Sequence, residues 1–191
     1  LVGWMNNWNY AGSVPCNPWR SAMTLPRELG LTNVNGQVLL TSKVVKELDA
    51  IAGKWENAVS GSVLPVKDAW HLQVEVNLAS NQTINLQNEA EQSLKIEIKG
   101  VAKTLLVSRN SSSGETAFNN LFSFPAIQAP IYSNSDKLTL DIYIDQSSVE
   151  IVSADGTLSS TNLVFPNTIY NKVTYSEGIT AQYQSFNSIW K

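Results

Sequence analysis

Three carboxylates crowd one stretch of this 191-residue chain: Asp141, Asp145 and Glu150. A carboxyl pair that divides the roles of nucleophile and general acid/base must sit about 5 Å apart. Asp141 and Asp145 lie four positions apart in an alternating strand pattern, so they share a face at a separation of roughly 13 Å. That spacing excludes them as such a pair. Glu150 follows after a turn, and nothing in the sequence requires it to come nearer. The expectation for all three is a solvated outer face or a hydrogen bond within a turn. Arg20, Arg27 and Glu28 also carry reactive types. Arg27 and Glu28 are adjacent in a strand-like run, so they point to opposite faces, and ion pairing within or between domains is their expected role. The chain holds one histidine, His71, and one cysteine, Cys16. A Cys/His transition-metal site needs more ligands than that, and one cysteine closes no internal disulfide. Cys16 reads as a small buried hydrophobe, and His71 as a surface histidine. No Asp/Asn-rich loop suggests calcium. The sequence therefore assigns no catalytic residue, no metal and no cofactor.

The elements around these residues are strands. In 70–78, Trp70, Leu72, Val74, Val76 and Leu78 alternate with His71, Gln73, Glu75 and Asn77. Period-two alternation predicts a strand with one buried face. The same pattern recurs at 94–98, 137–144 and 148–152. Turn residues separate the runs at 80–82, 110–114 and 133–136, and Asp155-Gly156 marks a hairpin. Many short strands with regular turns predict an antiparallel two-sheet β-sandwich of the jelly-roll or lectin-like kind. One stretch, 42–51, places Val44, Val45, Leu48 and Ile51 on a single helical face and is expected to be a short helical connector. The first forty residues differ. They hold Trp4, Trp8, Tyr10 and Trp19, then two or three strand-like runs, too little to bury their own apolar faces.

Composition narrows the function classes. The net charge is -3 and the 13 basic residues are scattered; Lys43, Lys46 and Lys54 are the nearest thing to a cluster. No basic stripe interleaves with aromatics, which argues against nucleic acid. No apolar run approaches the roughly 18 residues of a membrane span. The tripeptides Asn81-Gln-Thr83 and Asn110-Ser-Ser112 match the glycosylation acceptor pattern.

Two long blocks carry a specific resemblance. Gly3-Trp4, Asn7-Trp-Asn-Tyr10, Pro15 and Trp19-Arg-Ser-Ala-Met-Thr-Leu-Pro-Arg-Glu-Leu29 resemble the last blade of the catalytic propeller of family 32 glycoside hydrolases, the β-fructosidases. Leu140-Asp-Ile-Tyr-Ile-Asp-Gln-Ser-Ser-Val-Glu-Ile-Val152, Asp155-Gly156 and Val164-Phe-Pro166 are similar to the family's C-terminal module. Ser188-Ile-Trp190 resembles the end of that module. Arg109, with Ser113-Gly114 before Phe118, resembles its arginine and serine-glycine turn. The resemblance implies the last strands of a five-bladed β-propeller and a linker over residues 1–57, then a C-terminal β-sandwich over 58–191. The family's Asn-Asp-Pro, Arg-Asp-Pro and Glu-Cys motifs, which supply nucleophile, stabiliser and acid/base, do not occur here. Lys43 stands where the family usually has proline, and Cys16 near a common threonine.

From this resemblance the chain is expected to be the non-catalytic C-terminal region of a secreted β-fructosidase, starting inside the final blade. The parent would be extracellular or periplasmic and act on levan, inulin or sucrose. The upstream propeller would be its partner. By the same resemblance Trp4 lines a fructose pocket, and Asn7 and Trp8 stand on its rim. An aromatic face offers a sugar ring a flat apolar platform. The alternative for these aromatics is propeller core packing. Two further roles stay open: an independent carbohydrate-binding sandwich, and an oligomer formed through the sheets.

Overall fold

The computed structural model describes residues 1–189, with only the backbone at Pro125. Trp190, part of the closing motif above, lies outside the described residues. Thirteen strands run in chain order: β1 (Arg27–Val34), β2 (Gln37–Val44), β3 (Glu56–Asn57), β4 (Trp70–Asn77), β5 (Asn81–Gln87), β6 (Ser93–Lys99), β7 (Thr104–Arg109), β8 (Phe124–Pro130), β9 (Lys137–Ile144), β10 (Ser148–Ser153), β11 (Ser159–Leu163), β12 (Lys172–Tyr175) and β13 (Thr180–Ser185). The only helical turns among the described residues are three short 3-10 segments, Ala11–Ser13, Lys46–Ile51 and Ser111–Ser113.

Two antiparallel sheets form the sandwich. One has the order β11-β10-β9-β4-β13-β3 and the other β12-β5-β6-β7-β8. The alternation in the sequence explains the core. Trp70, Leu72 and Val74 of β4 face Ile144, Ile142 and Leu140 of β9 across the ladder, and all are buried. Ile84, Leu86, Leu94, Ile96 and Ile98 supply the facing layer. Each such side chain contributes about 1.5–3 kcal/mol on leaving water. Trp70 also donates its indole N–H to the Tyr170 carbonyl at 2.9 Å, so burial leaves no polar atom unpaired there.

β1 and β2 form a separate hairpin around Asn35-Gly36, both with positive φ. Such backbone is the primed turn that matches strand twist. One hairpin face, with Thr32, Val34, Leu39 and Thr41, turns toward the sandwich and is buried or half-buried. The Ser42 amide donates to the Gly156 carbonyl at 2.8 Å. A Cβ on Gly156 would lie 2.7 Å from Lys43 Cγ, so this turn must be glycine for the hairpin to dock.

The connector departs from the helical expectation for 42–51. Residues 42–44 finish β2, and only Lys46–Ile51 turns, as a 3-10 segment. The cross-strand ladder of β1 and β2 extends to Arg27↔Val44 and outweighs the weak helical patterning.

Candidate functional site

The segment before β1 projects an aromatic pair. Trp4 makes an isolated antiparallel bridge with Met23, and the Met5 amide donates to the Ala22 carbonyl at 3.0 Å. The Gly3 amide donates to Thr24 Oγ1 at 2.9 Å. These bonds hold Trp4 in an extended strand. Asn7 then builds a turn: its side-chain oxygen accepts from the Asn9 amide at 2.9 Å, and its carbonyl accepts from Tyr10 and Ala11. The turn swings Trp8 back onto Trp4, with ring centroids 5.0 Å apart and tilted by 57°. Trp8 is 88% exposed and Trp4 37%. The side-chain oxygen of Asn7 is thus engaged in the turn that presents Trp8. The structure brings the three residues to one exposed corner.

That corner is anchored to the sandwich. Tyr10 meets Phe122 edge-on at 5.2 Å, and Val14, Phe122, Leu163 and Phe165 form a second small core. Arg109 donates Nε–H to the Phe122 carbonyl at 2.9 Å and stacks its guanidinium 4.0 Å from the Phe122 ring. Gly114, with φ +132°, lets the neighbouring backbone approach Phe165. The arginine and serine-glycine pattern therefore acts in packing. Cys16 sits half-buried at this junction; burial pushes its thiol up, and nearby Arg20 opposes the shift. Trp19 is exposed, and Arg20 donates to the Gly12 carbonyl at 2.8 Å.

The carboxylates take three different environments. Asp145 is exposed and accepts from the Gln146 amide at 2.7 Å, in line with a turn role. Glu150 contradicts the expected solvated face: it is 2% exposed. Arg27, also buried, reaches it from β1 through Nη2, and Glu150 Oε1 accepts from the Leu25 amide at 2.8 Å. This ion pair ties the hairpin to β10, as expected for Arg27. A cleft of about 450 Å³ opens beside it, between the N-terminal segment and the six-stranded sheet, with Met5, Leu25, Tyr143 and Glu150 in its walls.

Asp141 and His71 also depart from expectation. His71 is 5% exposed. Its Nε2 lies 2.9 Å from Asp141 Oδ1, and Gln184 Nε2 donates to its Nδ1 at 3.3 Å. An aspartate only accepts and a side-chain amide nitrogen only donates, so the network assigns the imidazole proton to Nε2. The ring stacks on Tyr143 at 4.2 Å and meets Trp55 at 4.9 Å. Gln73 donates to the same Asp141 oxygen at 2.9 Å, and Gln182 donates to Gln73 at 2.7 Å. Sequence reasoning missed this network. Its signal was the polar alternation of 71–77 and 180–184, which does not say which strands pair. Among the described residues, no group of three His, Cys, Asp or Glu side chains converges as a metal site.

The architecture is that of a two-sheet β-sandwich with a docked N-terminal hairpin. The crystal structure of exo-inulinase from Aspergillus awamori superposes on 99% of the chain with a TM-score of 0.85, at 22% identity and over 40% of its own length. Sucrose-6-phosphate hydrolase from Lactobacillus gasseri gives 0.73 over 98% of the chain and 38% of its own, at 19% identity. Residues 37–190 match the C-terminal domain of glycosyl hydrolases family 32, and residues 1–42 match that family's N-terminal domain. The chain therefore belongs to glycosyl hydrolase family 32. It is 34% identical to a levanase of Bacillus subtilis and 30% identical to an extracellular exo-inulinase of Aspergillus niger, in each case over 87% of the chain. It spans 26% and 33% of those two relatives.

Proposed function

We propose that this chain is the C-terminal part of a β-fructosidase, in which the sandwich stabilises a catalytic propeller whose last strands lie within residues 1–57. The observation that carries the reading is the two-sided hairpin. Its inner face is docked on the sandwich, while Leu29, Leu31, Val38 and Leu40 on the outer face are between 45% and 75% exposed. A two-stranded sheet with four large apolar side chains in water needs a further layer to cover them. The rest of the N-terminal domain is the layer that family membership supplies.

In this reading the parent enzyme hydrolyses β-fructosides of the levan, inulin or sucrose class, and works outside the cytoplasm as its extracellular relatives do. Trp4, Asn7 and Trp8 stand at the mouth of its pocket. Trp4 and Trp8 offer aromatic surface, and Asn7 shapes the turn between them. The last propeller strands and the linker are assigned to residues 1–57 and the sandwich to 58–191, with β3 of the first unit pairing onto the sandwich edge. The 191-residue chain alone contributes no nucleophile and acid/base pair. Purified, it will release no fructose from sucrose, inulin or levan. Reducing-sugar release above a heat-denatured control would refute the proposal.

A further inference from the structure

The outer face of the six-stranded sheet carries a second arrangement suited to sugar, remote in sequence from the Trp4–Trp8 corner. The register of β3, β13, β4 and β9 lines up three rows. The first is Gln184, His71 and Tyr143; the second is Asn57, Gln182, Gln73 and Asp141; the third is Thr180, Glu75 and Thr139. Trp55 precedes Asn57 by one strand period and closes the first row, as its 4.9 Å contact with His71 shows. Trp55 remains 40% exposed. On the second and third rows a groove of about 310 Å³ is walled by Asn57, Gln73, Glu75, Thr139, Thr180, Ala181 and Gln182.

From this arrangement we infer that the groove and Trp55 form a binding site for a neutral oligosaccharide, and that in the proposed β-fructosidase its ligand is a stretch of fructan chain. Several groups there have hydrogen-bonding capacity left. The Asp141 bonds fall on Oδ1, which leaves Oδ2 for another donor. Gln182 donates to Gln73 and keeps its own carbonyl oxygen. The side chains of Asn57 and Thr139 add an amide and a hydroxyl. Sugar hydroxyls both donate and accept, and an aromatic face takes the apolar side of a ring. The charge disfavours anionic ligands: Asp141 and Glu75 are acidic, and Lys137 is paired with Glu75 at 2.7 Å. The hydrogen-bond chain from Gln182 through Gln73 to Asp141 also holds the site's side chains in place before ligand arrives, which lowers the cost of binding.

The choice of fructan rests on the proposed function; the site itself rests on the groove. The test is titration of the whole chain with levan and inulin oligosaccharides, read by calorimetry and by the amide and indole signals of isotope-labelled protein. Binding in the millimolar range is expected, with shifts at Trp55, Asn57, Gln73 and Gln182. Trp55→Ala and, as a variant at an exposed edge that leaves the core intact, Asn57→Ala should each weaken binding, the former about tenfold or more. Val101→Ala, at an exposed turn of the other sheet, should bind as the unsubstituted chain does. No heat and no shifts at tens of millimolar sugar would overturn the inference and leave the proposed function untouched. Shifts confined to Trp4 and Trp8 would overturn it equally. Fructose release by the chain alone would instead refute the proposed function.

Discussion

Glu150→Gln isolates the contact that couples the N-terminal hairpin to the sandwich. The substitution keeps size and an acceptor for the Leu25 amide. It removes the negative charge beside Arg27, which is 4% exposed. Among the described residues Arg27 would retain Ser159 Oγ, at 3.3 Å, as a side-chain partner, and its Nε already lacks one. Removing one partner of a buried ion pair costs about 3–5 kcal/mol, because the other charge stays desolvated. Domains are stable by only about 5–15 kcal/mol, so the loss is large. The hairpin is tied to the sandwich by this ion pair and by hydrogen bonds from Arg27 to Ser159 and from Ser42 to Gly156, so it should release before the sandwich unfolds. Hydrogen exchange should then show lost protection at Leu25, Ser42 and the β1–β2 ladder, with β4, β6 and β9 unchanged. If hairpin and sandwich instead unfold together, the melting midpoint should fall by roughly 10 °C. The double variant Arg27→Met/Glu150→Leu, which removes both charges and keeps the volume, should recover much of the loss. Unchanged protection in the hairpin together with an unchanged midpoint in Glu150→Gln would refute the account of this contact.

Other outcomes follow from particular residues. Gly114→Ala places a Cβ 2.4 Å from the Phe165 carbonyl oxygen at φ +132°, so it should destabilise by several kcal/mol in denaturant titration. Trp8→Ala removes a side chain that solvent already reaches, and should change stability by no more than about 0.5 kcal/mol. A larger loss would mean that Trp8 packs. Burial raises the phenols of Tyr143, Tyr170 and Tyr183 above their ordinary value, with Asp141 adding to the first and Glu56 to the third. The unfolded chain ionises near the ordinary tyrosine value of about 10. Stability is therefore full below that pH and falls as pH rises through it toward the folded values. Phenolate absorbance of these tyrosines should appear together with loss of near-UV circular dichroism. Ionisation of all six tyrosines at ordinary pH without unfolding would contradict their burial.

Strand identity was legible because it is local. A period of two in 70–78 or 137–144 shows which side chains leave water, whatever the partner strand, and those predicted inward residues are the core. The family resemblance was legible for a similar reason: the Trp19–Leu29 and Leu140–Val152 blocks are contiguous. The tryptophan corner was only partly legible. Trp4 and Trp8 stood out by type, but the Asn7 turn that brings their rings together depends on backbone geometry.

Tertiary structure decided what the polar faces do. His71, Asp141 and Glu150 all lie on the outward phase of their strands, and a single sheet would leave them in water. Glu150 is buried because a hairpin more than one hundred residues earlier delivers Arg27 to it. His71 is buried because β13 brings Gln184, β9 brings Tyr143 and the linker brings Trp55 over the same ring. Alternation within a strand determines inside and outside relative to one sheet. It carries no information about what docks on the outside, since that depends on contacts between segments far apart in the chain.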